Sequence, residues 1–79
     1  MNQTDVSRLQ DVFRAVLNLP AGTDVTGASP TTIPSWDSLG HVMLVAAMES
    51  EFGIQIDPGD SLELKSYQDA ARLLERLGS

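Results

Sequence analysis

A chain of 79 residues with no cysteine has room for one small domain, expected over residues 1–79, and excludes disulfide staples, thiolate zinc sites and a cysteine nucleophile. The net charge of −6 is one-sided: no Lys or Arg lies between Arg14 and Lys65, while Asp24, Asp37, Glu49, Glu51, Asp57, Asp60 and Glu63 do. Such a field disfavours nucleic acid and anionic membranes and suits basic protein surfaces, though acidic charge also serves solubility. The start MNQTDVSRLQ has no basic stretch followed by an apolar run, and the apolar stretch 42–48 is too short to span a bilayer, so a soluble, cytoplasmic chain is expected.

Val6, Leu9, Val12, Phe13, Val16 and Leu17 recur at spacings of three and four, which predicts a helix over 4–18. Asn2 or Thr4 can cap it, and Pro20 ends the pattern. Residues 19–36, punctuated by Pro20, Gly22, Gly27, Pro30 and Pro34, read as a long loop anchored by Val25 and Ile33.

A second helix is predicted over 37–52, with Asp37 as its cap and Gly53 as its stop. Its inner stripe is expected from Leu39, Val42, Met43, Ala46 and Phe52, widened by Val45. Ile54 and Ile56 alternate with Gln55, but no partner strand is at hand, so an extended connector is preferred. Asp57-Pro58-Gly59-Asp60 is a turn or one short helical turn, with Leu62 and Leu64 as core anchors behind it. Ser66 and Asp69 resemble a capping box for a last helix whose inner stripe is Tyr67, Ala70, Ala71, Leu74 and Leu77, closed by Gly78. The fold class is all-α: a small antiparallel bundle of three main helices and one short helix, with a long loop between helices one and two.

The chemistry centres on Ser35-Trp36-Asp37-Ser38-Leu39-Gly40-His41. Ser38 can be an ordinary first-turn residue. It can belong to a hydrolase with Asp37 and His41, since residues three apart on a helix are neighbours. That reading lacks a third group to orient His41, an oxyanion hole and a Gly-x-Ser-x-Gly elbow. Ser38 can also be a site of covalent modification, because a helix N-terminus favours a phosphate.

Asp37-Ser38-Leu39 resembles the attachment motif of acyl carrier proteins. The likeness extends through the first helix, the long loop, Glu49-Ser50-Glu51-Phe52-Gly53-Ile54-Gln55-Ile56, the turn near Asp60 and the helix start at Ser66-Tyr67. The resemblance implies a carrier with no catalytic or metal-binding residues of its own. A phosphopantetheinyl transferase, aided by magnesium, would place a 4′-phosphopantetheine arm from coenzyme A on Ser38, with Asp37 presenting it. The arm's thiol would hold acyl cargo as a thioester. Acyl-loading, condensing or acyl-transfer enzymes with basic docking surfaces would meet a monomeric carrier at Trp36, Leu39, Met43, Glu49 and Glu51. Met43 has a core reading as well. Trp36 can pack on the loop, stack on the arm or anchor a partner. His41 can touch the phosphate or a partner, or be plainly solvated. Val42, Ala46, Ile54, Leu64 and Tyr67 would line any space for cargo, against a fully packed interior.

The family's fatty acid members read G-A-D-S-L-D-x-V-E around the serine. Here Trp36 replaces a small residue, and Gly40 and Met43 replace acids. The W-D-S-L form resembles discrete carriers of specialised pathways, polyketide-type assembly among them. General fatty acid synthesis is the alternative, and an unmodified helical interaction domain of the same fold is another.

Overall fold

The computed structural model describes residues 2–78, which form four helices and, among them, no strand: α1 Gln3–Val16, α2 Ser38–Phe52, α3 Pro58–Glu63 and α4 Tyr67–Gly78. The all-α bundle with a long first loop is as expected. Residues 54–57 form a connector with neither helix nor strand; of the two isoleucines expected to be buried there, Ile56 is and Ile54 is half-buried.

Between the two candidate caps of α1, the structure selects Asn2, whose side chain accepts from the Asp5 N–H at 2.8 Å. Its end comes before Pro20. Asn18 takes a left-handed conformation (φ 56°), the Leu19 N–H returns to the Arg14 carbonyl at 2.8 Å, and the Asn18 N–H turns toward the Ala15 carbonyl. This is a Schellman ending built on asparagine, which tolerates positive φ better than other non-glycine residues. Gly53 (φ 64°) closes α2. Asp57 caps α3 with Pro58 beside it. At α4 the Asp69 N–H donates to Ser66 Oγ, while the Asp69 carboxylate reaches the Lys65 N–H rather than that of Ser66. Partial burial pushes the Asp69 carboxyl up, but the Lys65 N–H, Arg72 and Ser66 together outweigh it and hold it below the ordinary range.

The core joins Leu9, Val12, Phe13 and Leu17 of α1 to Leu44 and Met48 of α2 and to Tyr67, Ala70, Leu73 and Leu74 of the α4 segment. At its centre Phe13 meets the rings of Trp36 and Tyr67 edge-on, at centroid distances of 5.4 and 5.3 Å. Such contacts add about 0.5–1.5 kcal/mol each to the burial itself. The long loop is tied to this centre. Val25 and Ala28 are buried, the Tyr67 N–H donates to the Ala28 carbonyl, Arg14 Nε to the Thr23 carbonyl, and Ser35 Oγ to the Leu17 carbonyl. Ile33 is only half-buried.

Three core expectations are corrected. The inward face of α2 is Gly40, Leu44 and Met48, flanked by half-buried Val45, Ala47 and Phe52; Leu39, Val42, Met43 and Ala46 face outward. α2 is apolar almost all round, so spacing alone cannot choose its buried side. Leu62 is no core anchor but 77% exposed, because α3 buries none of its own residues and leaves core contact to the flanking Ile56 and Leu64. Leu77 lies near the end of α4 and is also exposed, while Leu73 takes an inner position.

Candidate functional site

The first turn of α2 carries the candidate residues Asp37 and Ser38 at its start. Asp37 is extended (φ −95°, ψ −166°) and its carboxylate accepts the Gly40 N–H at 2.8 Å. Its carbonyl accepts the His41 N–H at 2.8 Å. The cap thus satisfies two donors of the first turn, and the N–H groups of Ser38 and Leu39 stay without a partner among the described residues. Ser38 is exposed, and its hydroxyl makes no hydrogen bond within the described residues. No acid other than the cap stands in this turn.

Gly40 explains how the loop reaches the helix. A Cβ on Gly40 would lie 2.3 Å from the Ser35 carbonyl oxygen, so only glycine lets the loop backbone close over the first turn. That close approach delivers Trp36 to Phe13.

Trp36 is therefore 3% exposed and packed inward, which corrects its assignment as a partner contact. Its indole Nε1–H donates to His41 Nδ1 at 3.2 Å, and the two ring planes are nearly parallel, 17° apart, with centroids 6.4 Å apart. The other ring nitrogen of His41 lies 3.0 Å from both the carbonyl and the hydroxyl of Ser61 in α3. His41 is thus neither solvated nor aimed at Ser38. With both nitrogens engaged elsewhere, it gives Ser38 no general base, and a Ser–His hydrolase pair is not formed.

Leu39 and Met43 are exposed where partners could reach them, 67% and 49% respectively, and Val42 and Leu62 join them on the surface. Glu49 and Glu51 differ from expectation. Glu49 is half-buried and accepts the Ile56 N–H at 2.8 Å. Glu51 pairs with Arg8 at 2.8 Å, and Arg8 also reaches the Glu51 carbonyl and covers the Phe52 ring. Glu49 is thus engaged within the chain, whereas Glu51 stays exposed beside Arg8.

The cargo space imagined along Val42, Ala46, Ile54, Leu64 and Tyr67 is not assembled, since Val42 and Ala46 face solvent while Leu64 and Tyr67 are packed. An open groove of about 810 Å³ lies instead between α3 and α4, lined by Asp60, Glu63, Leu64, Arg72, Leu73 and Arg76 among others. Its charged rim, with an Arg76–Asp60 ion pair, suits water better than an alkyl chain. Among the described residues no helix is long and apolar enough to cross a membrane.

No family model matches the chain. Among curated proteins it is similar to "Acyl carrier protein 3, chloroplastic" of Cuphea lanceolata, 35% identical over 75 residues, which cover 95% of this chain and 52% of the relative. It is likewise 35% identical over 72 residues to "Acyl carrier protein 1, chloroplastic" of Hordeum vulgare, covering 91% of this chain and 48% of that protein. The chain spans about half the length of these curated relatives. Among solved structures it resembles the solution structure of holo acyl carrier protein from Geobacter metallireducens, with a TM-score of 0.78 and 28% identity over 90% of this chain and 82% of that one.

Proposed function

The chain belongs to the acyl carrier protein family, and on that premise we propose that it is a single carrier domain bearing a 4′-phosphopantetheine arm on Ser38. The observation that carries this reading is the Ser38 hydroxyl: exposed, unpartnered among the described residues, and set at the start of α2 beside two unpartnered N–H groups. Those donors and the positive end of the helix dipole suit a phosphodiester there. In the attachment step Ser38 Oγ forms a bond to the β-phosphorus of coenzyme A, the P–O bond to 3′,5′-ADP breaks, and the hydroxyl proton leaves to a base. His41 does not supply that base, because it is engaged with Trp36 and Ser61. When bound, the arm supplies the thiol that a cysteine-free chain lacks. The protein is a carrier and not a catalyst: it presents the serine, and the enzymes that visit it perform the chemistry.

The partners are a phosphopantetheinyl transferase and acyl-handling enzymes, met by a cytoplasmic monomer at Leu39 and Met43. A small exposed apolar face suits short-lived encounters. The turns after Ser38 hold Gly40 and Met43 where fatty acid carriers hold acids, which supports service to a specialised pathway such as polyketide-type assembly. The chloroplast acyl carrier relatives favour the second reading, general fatty acid synthesis.

Incubation with coenzyme A and a promiscuous phosphopantetheinyl transferase is expected to add the mass of one phosphopantetheine, and Ser38→Ala to abolish the gain. An unchanged mass for the native chain overturns the carrier reading. The thioester cargo on protein isolated from its host separates the pathways: a ladder of saturated chains means fatty acid synthesis, and a short hydroxyacyl, aminoacyl or polyketide unit means specialised assembly.

A further inference from the structure

Three elements meet at one imidazole. An indole N–H can only donate, so the Nδ1 of His41 that faces Trp36 must be the bare nitrogen. The proton then sits on Nε2, which donates to the Ser61 carbonyl. His41 is thereby assigned as the neutral Nε2–H tautomer, bridging the end of the loop, the first turn of α2, and α3. The bridge matters because α3 buries none of its six residues. Beyond the bonds at its own two ends, it is tied to other helices by the His41 contacts with the Ser61 carbonyl and hydroxyl and by the Arg76–Asp60 pair at its other side. The charged groups at this end of the elements are Asp37 and Asp57 at the caps of α2 and α3, Asp60 and Glu63 within α3, and Arg76 of α4, which pairs with Asp60; α2 carries Glu49 and Glu51 in its last turn, and α4 also carries Asp69, Arg72 and Glu75.

Val42 directly follows His41, and Leu62 directly follows Ser61; both are exposed apolar side chains. We propose that His41 is a positioning residue for the surface beside Ser38: through Ser61 it fixes α3, and with it Leu62, against the Leu39–Val42–Met43 face of α2. An enzyme approaching Ser38 then meets one composite apolar face in place of two that move independently. The inference rests on the carrier reading for what the face is used for, but not for how it is held.

Two variants divide the functions of the ring. His41→Gln keeps a donor near the Nε2 position and so the tie to Ser61. His41→Asn keeps an acceptor near the Nδ1 position and so only the tie to Trp36. In hydrogen exchange, His41→Ala and His41→Asn are expected to speed exchange of the α3 amides while α1 and α4 stay protected, and His41→Gln to restore α3 protection. With the transferase, His41→Ala and His41→Asn are expected to raise KM for the carrier about fivefold with kcat within about twofold, and His41→Gln to recover KM. Unchanged α3 exchange in His41→Ala overturns the proposal, as does equal loss of protection in α1 and α4, which would mark a merely structural role. An unchanged KM alongside loosened α3 also overturns it. If the native chain itself is not modified, the carrier reading fails first, and the exchange data still decide whether His41 holds α3.

Discussion

The chain uses the same apolar residue types in two opposite ways. Around Phe13 they are packed away: Leu9, Leu17, Trp36, Tyr67 and Leu74 are almost wholly buried. Along the outer side of α2 and on α3 they stand in solvent, as Leu39, Val42, Met43 and Leu62 do. The first region is held by dispersion and burial. In the second, α3 is held by polar clips and by its two flanking anchors. Burial and exposure of apolar side chains thus fall on different sides of the same bundle.

The largest expected effect tests that division directly. Phe13→Ala removes the ring that both Trp36 and Tyr67 contact, and should cost about 3–5 kcal/mol in urea unfolding. Leu62→Ala should stay within about 0.5 kcal/mol of the native chain. Comparable losses from the two would erase the distinction. Gly40→Ala comes next, at about 1–3 kcal/mol, since its Cβ meets loop backbone and not a yielding side chain. It should also red-shift and broaden the fluorescence of Trp36, the chain's one tryptophan, as the loop lifts from Phe13. A native spectrum in a folded Gly40→Ala would show that the loop reaches the core by another route.

The smallest effect is electrostatic. The folded chain holds the Asp69 carboxyl below its ordinary range, so its contribution is fully present above the unfolded value and fades as pH falls through the lowered one. Asp69→Asn should lose less stability on acidification than the native chain does, measured as unfolding midpoints at neutral and acidic pH. Identical pH slopes would mean that the Lys65, Ser66 and Arg72 contacts do not favour the ionised form.

Much of this was legible in the sequence where period and burial coincide. In α1 the apolar stripe has a polar opposite face, so spacing alone identifies Leu9, Val12, Phe13 and Leu17. The Asp37 cap was equally plain, because Asp37 acts on a donor three residues away. α2 shows where such reasoning stops. The spacing of Leu39, Val42, Met43 and Ala46 is real, but it describes the outer face, and with few polar residues on either side nothing in the pattern marks which is which. Asn18 was overshadowed by Pro20 as a helix stop. Trp36 and His41 were beyond reach for a different reason. Their surroundings depend on Ser61, twenty residues from His41, and on Phe13, and no local rule places those side chains. One signal was available: glycine at position 40 is a poor helix former in a first turn, which hints at a close backbone approach.

The junction of Phe13, Trp36 and Tyr67 has a consequence for biosynthesis. It draws on the early, middle and late thirds of the chain, and the Tyr67 N–H also pins the loop at Ala28. During translation Ser38 emerges well before Tyr67, so its setting is completed only when the last helix has left the ribosome. Nascent chains stalled before residue 67 are expected to be cut readily by protease on either side of Ser38, and chains stalled on an added C-terminal linker long enough to carry residue 78 clear of the ribosome to resist. The timetable of synthesis thus separates the appearance of the serine from the completion of its surroundings.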